Sequence, residues 1–468
     1  MESTQTNHLF SEKFRPQLHF TPERNWINDP NGLLFYKDKY HLFYQHNPEG
    51  DLWGNMSWGH AVSTDLFHWQ ELPVAIACTE TTGIFSGSAV VDYTNSTGFG
   101  SIDNPAMVAI YTSHQNDGSN QSQHLAYSLD EGLTWVKYEG NPVLDLEMKD
   151  FRDPKVSWEK ETSTWLMVIA KPEEHKIAFF RSPNLKEWTH LSDFGPEAAT
   201  GGCWECPDLF LLTTPSGDAR WVLLVSLNPG GITGGSGTQY FIGDWDGNTF
   251  TSLNNGETKW IDGGRDNYAG VTFNNTENSE SGDNRRIFMA WMNNWEYSNT
   301  IETSPWRGAM TLPRELSLSS SNGIYQLHLQ PVAEYSKLQG ERVGDSDSLE
   351  LQEISIAVNK NEPVTLRIND GNGRYIEFGY SAKKSSLFVD RYHAWFGQYQ
   401  NNFQESKVDS DNFTLIAIVD RGAIEISTES GKSLITSLHL LDGDSYSVEV
   451  ITGEISRIKR RRLFTTHS

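Results

Sequence analysis

Apolar positions along this chain alternate with polar ones in short bursts, and nowhere do they hold the three-and-four spacing of a long amphipathic helix. The clearest bursts are 33–36, 40–45, 107–112, 165–170, 177–181, 221–226 and 287–291. They are rich in β-branched and aromatic residues and are bounded by Gly, Pro, Asn, Asp and Ser, which predicts strands joined by tight turns. A degenerate repeat lies over them, in which a strand ends in Ser, turns through Asp or Asn, and re-enters on an aromatic. Its copies are S-T-D-L-F-H-W from Ser63, S-L-D-E-G-L-T-W from Ser128, S-P-N-L-K-E-W from Ser182 and G-D-W-D-G-N-T-F from Gly243. The turn residues Asp65, Asp130, Asn184 and Asp244 recur about every 60 residues, the length of a four-stranded sheet with its turns. A region of about 310 residues holds five such units, so residues 1–320 are expected to form a five-bladed β-propeller, a ring with few exposed strand edges. A pair of β-sandwiches with coincidental turns is the competing topology, because turn chemistry alone does not arrange sheets.

After Leu316 the segments 317–323 and 338–348 are rich in Ser and Gly, and a linker is expected at 321–345. Strand patterns with hairpin turns resume at 364–368, 375–380, 386–390, 413–419 and 423–427, so residues 346–468 are expected to form a C-terminal β-sandwich. The fold class is therefore all-β. The basic run 457–462 reads as a solvated chain end.

A length of 468 residues calls for two hydrophobic cores. The net charge of −24 repels phosphate backbones and anionic lipid, which argues against nucleic acid and membrane partners. Aromatics reach 12%, with 16 Trp, a supply that suits stacking on sugar rings as well as packing. Three cysteines, Cys78, Cys203 and Cys206, provide no disulfide framework. The polar start 2–8 has no leader pattern, so the chain is expected to be cytoplasmic if Met1 is the native start and secreted if a signal was trimmed. Sequons at Asn95, Asn120, Asn274 and Asn412 leave the compartment open. The sequence carries no signal for oligomeric state.

Three acidic clusters carry candidate chemistry: W-I-N-D-P-N-G (26–32), F-R-D-P-K (151–155) and W-E-C-P-D (204–208). Pro30 fixes the chain just after Asp29, and Asn31-Gly32 is expected to turn it, although an isolated N-D-P-N-G is more often a plain turn cap. Arg152 and Asp153, being adjacent, are expected to face opposite sides of a strand. Glu205 is expected to lie in apolar company that favours its protonated form, as a general acid requires; a solvated strand-end Glu is the alternative. The clusters fall on different blades, and a propeller gathers blades about one axis, so three carboxylates converge where one can attack, one protonate and one stabilise positive charge. Cys203-x-x-Cys206 lies on a strand pattern and does not open a helix, Gly230–Gly237 lacks the Lys of a phosphate loop, and the 14 His residues form no metal-ligand spacing, so no cofactor or metal is expected.

With Q-H-N-P, W-G-N-M-S-W-G-H, F-S-G-S-A and P-W-R-G-A-M-T-L-P-R-E-L, these clusters make an ordered set that resembles glycoside hydrolase family 32, the family of invertases, inulinases and levanases. The resemblance runs from about Gln17 to Leu316, with weaker echoes in F-V-D-R (388–391) and V-D-R-G (419–422). It implies a five-bladed propeller followed by a β-sandwich, and a retaining enzyme that frees terminal fructose from sucrose, fructo-oligosaccharides or fructans. By the same matching Asp29 is the nucleophile, Glu205 the acid/base, Asp153 the stabiliser gripping the fructosyl hydroxyls, and Arg152 an orienting residue. Asn28, Gln45, Trp53, Phe85 and Ser86 would line the pocket, with Asp266, Tyr268 and Trp291 as further contacts. The segment G-R-D-N-Y-A-G departs from the commoner G-K-D-F-Y-A form. W-G-N-M-S-W-G-H and G-I-F-S-G-S-A-V-V-D resemble the inulinase and levanase branch more than the sucrose-phosphate hydrolases. The rival readings are a fructosyltransferase, in which a sugar hydroxyl replaces water, and a non-catalytic sugar-binding propeller, which would have no need of three placed carboxylates.

Overall fold

The computed structural model describes residues 10–276, 285–344, 347–443 and 445–467; the polar start 2–8 and part of the expected domain boundary, 345–346, lie outside them. Five antiparallel sheets come first, with innermost strands Asn25–Tyr36, Thr82–Asp92, Arg152–Glu159, Cys203–Thr213 and Tyr268–Thr272. These strands touch one another in sequence order and the last touches the first, which makes a five-bladed ring about one axis. The alternation read from the sequence supplies the mortar, since each blade's apolar face packs on its neighbour's. One cluster fills each junction: Phe43, Trp58 and Tyr111 between blades one and two, Ile110, Met167 and Phe180 between two and three, and Phe179, Trp204 and Phe241 between three and four. Tyr240, Phe288 and Leu318 lie between four and five, and Phe35, Phe273 and Met289 between five and one. A short parallel pairing of Asn25 and Trp26 with Trp306 and Arg307 helps to close the ring.

The Ser-Asp-aromatic repeat is a turn with a defined set of hydrogen bonds. Asp65 Oδ1 accepts from the backbone N–H groups of Phe67 and His68 at 3.0 and 2.9 Å, and Trp69 Nε1 donates to the Leu66 carbonyl at 2.9 Å. Trp135 and Trp188 donate in the same way to Gly132 and Leu185, at 3.0 and 2.9 Å. The fourth copy corrects the sequence reading by two residues. Asp244 lies within the strand Gly237–Trp245 opposite Thr251, and it is Asp246 that accepts from Asn248 and Thr249, at 2.8 and 2.7 Å.

The segment 321–345 is largely structured: Ile324–Pro331 is the outer strand of blade five, and Gln339–Arg342 is an edge of the next sheet. A six-stranded and a five-stranded sheet follow and enclose one core, with Ile354, Ile356, Leu415 and Ile426 from the first facing Leu366, Ile368, Phe378 and Leu387 from the second. The basic run 457–462 is no solvated end. It belongs to the strand Ile458–Leu463, where Arg460 is buried and its Nε donates to Gln352 Oε1 at 2.9 Å.

The sandwich is fastened to the propeller through buried charges. His19 Nδ1 lies 2.7 Å from Asp420 Oδ2 and its Nε2 3.2 Å from Glu425 Oε1, all of them shut off from solvent, and Arg314 engages Glu425 from blade five. Burial alone would lower the His19 pKa, but the hydrogen bonds its ring donates to both carboxylates, with their charge, outweigh it and raise the value to about 9. A group raised on folding stabilises below its unfolded value, here about 6.5, and that stabilisation fades as pH rises through about 9. The protein is therefore expected to lose about 3 kcal/mol across that window through His19. Melting curves of the parent and of His19→Gln across this range check it: the gap between them should close with rising pH, and a constant gap would contradict the account.

Candidate active site

All five inner strands carry the same irregularity at the same level. Ile27 pairs with His46 but Pro30 with Tyr44; Ile84 with Ser113 but Gly87 with Tyr111; Arg152 with Ala170 but Lys155 with Val168. Glu205 pairs with Ser226 but Asp208 with Leu224, and Tyr268 with Trp291 but Val271 with Met289. Each inner strand thus carries one residue more than its partner, a β-bulge that tilts the strand and re-aims its side chains. The residues within the bulges are Asn28-Asp29, Phe85-Ser86, Asp153-Pro154, Cys206-Pro207 and Ala269-Gly270. Asp153, Cys206 and Ala269 sit at φ of 67°, 47° and 57°, the left-handed conformation that costs a residue with a side chain about 1 kcal/mol or more. Asn31-Gly32, expected as a turn, lies inside the strand and makes a second bulge; Gly32 has φ of 54°, and a Cβ there would come within 2.7 Å of the Phe43 ring.

This ring of bulges brings three carboxylates together. Asp29 accepts from Asn28 Nδ2 at 3.0 Å on one oxygen and from Ser86 Oγ at 2.7 Å on the other. Asp153 accepts the Cys206 backbone N–H at 2.9 Å, and the Cys206 thiol lies 3.5 Å from both Asp29 and Asp153. Glu205 Oε1 receives Arg152 Nε and Nη2 at 3.0 and 2.9 Å, and its Oε2 takes the Tyr268 hydroxyl. The expected alternation of Arg152 and Asp153 fails because the bulge interrupts it, so both serve one site. The expected apolar setting of Glu205 fails as well. Trp204 turns away into the junction of blades three and four, where its Nε1 donates to Ala199, while a guanidinium and a phenol hold the carboxylate.

Burial raises the Asp29 pKa, with Glu205 adding to the shift and the hydrogen bonds from Ser86 and Asn28 opposing it. Burial raises that of Asp153 too, against Arg152 and with the help of the other two acids. Burial and the same carboxylates hold the Cys206 thiol well above its ordinary value, so it stays protonated and acts as a donor. Cys203 points elsewhere, to Glu173 at 3.3 Å, and makes no pair with it.

The remaining expected contacts divide into two groups. Trp53 is half-exposed and meets the Phe85 ring edge-on at 6.1 Å, and Phe85 stacks on His114 at 4.3 Å, which makes an aromatic wall beside Asp29 and Ser86. Gln45 is buried behind that wall. Its Nε2 donates to the Ile84 carbonyl at 3.0 Å, and Trp58 Nε1 donates to that of Phe85 at 3.0 Å, so these two side chains hold the bulge of blade two in place. Trp291 is fully buried, covered by Trp26 and Trp295, and is no direct contact. Asp266 is likewise out of a sugar's reach. Arg391 Nη1 and the Leu438 N–H each reach its Oδ2 at 2.8 Å, and Tyr297 occupies Oδ1. Because Asp266 fastens the sandwich and does not grip substrate, Asp266→Ala is expected to cost about 3–5 kcal/mol of stability by leaving Arg391 buried and unpaired. KM for sucrose, measured on the folded fraction, should change less than about twofold; a large rise in KM at unchanged stability would restore Asp266 to the pocket.

Beneath the carboxylates the axis is filled. Lys155 reaches Asp208 at 3.5 Å and the Thr272 carbonyl, and Asn274 Nδ2 donates to Ala89 and Val156 at 2.8 and 3.0 Å, tying blades two, three and five together. The sequon at Asn274 is thereby closed to glycan, its amide being engaged inside the ring. A cleft of about 750 Å³ between blades four and five and the sandwich, lined by Trp260, Tyr325 and Phe403, holds none of the three carboxylates.

The family model described as glycosyl hydrolases family 32 N-terminal domain matches residues 19–331, and that of the family's C-terminal domain matches residues 318–454. The chain belongs to family 32. A levanase of Bacillus subtilis (strain 168) is 40% identical, the alignment covering 94% of this chain and 68% of the levanase. The crystal structure of the exo-inulinase from Aspergillus awamori superposes with a TM-score of 0.88 at 35% identity, covering 98% of this chain and 99% of that one. A β-fructofuranosidase from Schwanniomyces occidentalis, complexed with fructosyl-erythritol, superposes at 0.85 with 32% identity, covering 97% and 98%. The family 32 architecture of propeller and sandwich is therefore the one this chain adopts.

Proposed function

We propose that this family 32 protein is a retaining β-fructosidase that removes terminal fructose from sucrose and from fructans of the inulin or levan type, one unit at a time. The observation that carries the proposal is the meeting of Asp29, Asp153 and Glu205 on three inner strands, each with a different set of partners. Asp29 is the nucleophile. Ser86 and Asn28 steady its oxygens, and it attacks the anomeric carbon of a terminal fructosyl unit to form a covalent fructosyl ester. Glu205 is the acid/base. Its Oε1 accepts the Arg152 Nε–H with Nη2 2.9 Å away, so Oε2, which faces the Tyr268 hydroxyl, is the oxygen that carries the proton given to the departing oxygen. Glu205 then takes a proton from water as the ester is hydrolysed and fructose leaves. Asp153 lies where its charge offsets the developing oxocarbenium ion and its free oxygen accepts sugar hydroxyls. Since Asp29 must be ionised to attack and its pKa is raised, activity should fall on acidification at a pH above the ordinary Asp value of 3.8.

The plugged axis supports attack from the chain end, because a pocket open at one end admits a terminal sugar more readily than an internal one. Chromatography of an early time course on inulin, levan and sucrose tests this. Fructose should be the first product from all three; short oligosaccharides appearing before fructose would overturn the exo reading, and activity confined to sucrose would make the protein an invertase.

A further inference from the structure

Arg152 is held from two sides. Nε and Nη2 face Glu205, while Nη1 donates to Asp150 Oδ1 at 2.8 Å and to Gln121 Oε1 at 3.2 Å. Asp150 lies just before the inner strand of blade three, and Gln121 is buried on the third strand of blade two, outside the acidic clusters the sequence singled out. Gln121 Oε1 also accepts the Phe151 N–H at 2.9 Å, and Gln123 Nε2 donates to the Phe151 carbonyl at 2.8 Å. Two side-chain amides thus grip the Phe151 peptide groups as a neighbouring strand would, and they fix the segment from which Asp150 and Arg152 project. On the far side Gln121 Nε2 lies 3.3 Å from His114 Nδ1, and the His114 ring stacks on Phe85.

We infer that Asp150 and Gln121 are positioning residues for the acid/base step: they clamp the guanidinium of Arg152 on Oε1 of Glu205, so that Oε2, beside the Tyr268 hydroxyl, carries the transferred proton. A guanidinium is planar and its donors point in fixed directions, so engaging Nη1 determines where Nε and Nη2 point. Without Asp150, Arg152 is free to swing toward Asp153, which also faces it, and Glu205 loses the contact that separates its two oxygens. The inference rests on Glu205 being the acid/base. Neither Asp150 nor Gln121 touches Asp29, Asp153 or Glu205; Asp150 acts through Arg152, and Gln121 through Arg152 and the Phe151 peptide.

The test compares Asp150→Asn, Asp150→Glu and Glu205→Gln on sucrose and on p-nitrophenyl β-D-fructofuranoside, whose leaving group departs without a proton. Asp150→Asn should lower kcat/KM on sucrose by about ten- to a hundredfold and on the aryl fructoside by less than about threefold, with Asp150→Glu recovering most of the loss. In an Arg152→Gln background Asp150→Asn should have no further effect, since the residue it acts through is gone. Equal losses on both substrates, no loss on sucrose, or losses that add in the Arg152→Gln background would each overturn the clamp. If Glu205→Gln itself falls equally on both substrates, the acid/base assignment fails and the clamp falls with it. If Glu205→Gln discriminates and Asp150→Asn does not, only the clamp fails.

Discussion

Asp29→Asn is expected to lower kcat on sucrose and on fructans by about 10⁴-fold or more, with no loss of stability at neutral pH. The substitution keeps the volume of the side chain and its acceptor for Ser86 or Asn28, but it removes the carboxylate we propose as the nucleophile. It also removes one of three acids whose mutual repulsion and burial raise the pKa of Asp29 and Asp153. A carboxylate whose pKa is raised on folding destabilises the fold above that pKa, so replacing it with a neutral amide should leave the melting temperature at neutral pH equal to or above that of the parent. Sugar binding should survive, and isothermal titration with sucrose on the inactive variant would measure it. Retention of more than a few per cent of parent activity in a preparation free of contaminating invertase would remove Asp29 from its role.

The second large effect is expected at Glu205. Glu205→Gln should lose about 10²- to 10⁴-fold on sucrose, where the departing oxygen needs a proton, and much less in the first step on an aryl fructoside. With the base also gone, water attacks the ester slowly, so the aryl substrate should give a burst of p-nitrophenol followed by slow turnover, and a small nucleophile such as azide should restore the rate. A uniform loss on both substrates with no burst would show that Glu205 handles no proton.

The sequence made the blades legible because one turn chemistry recurs. Asp65 and Asn184 accept from the backbone N–H groups two and three residues on, Asp130 from the one four residues on, and each is followed by a Trp that donates back to the turn. In the fourth copy D-W-D offers two acidic residues, and only the strand register shows that Asp246, and not Asp244, makes the turn. The bulges were not legible, since period-two alternation is the only rule a strand sequence obeys by itself. That rule sent Arg152 and Asp153 to opposite faces, whereas one extra residue turns both toward the same pocket. The surroundings of Glu205 were misread for a related reason. Trp204 and Cys206 are its neighbours in sequence, but Arg152 and Tyr268, 53 and 63 residues away, are its neighbours in space. Asp266 looked like a pocket residue until its partner Arg391, 125 residues further on, came into contact across the domain junction. Cys206 stands in a C-x-x-C spacing, but its role as donor to two carboxylates depends on a left-handed φ that no local pattern announces.

The central claim, that Asp29 becomes covalently fructosylated, is tested most directly by trapping. Glu205→Gln should be mixed with p-nitrophenyl β-D-fructofuranoside, quenched in acid during slow turnover, digested with pepsin and mapped by tandem mass spectrometry. The account predicts a single peptide from the W-I-N-D-P-N-G segment that is heavier by one fructosyl unit, with the added mass on Asp29. The same mass found on Asp153, or no adduct despite a burst of p-nitrophenol, would contradict it.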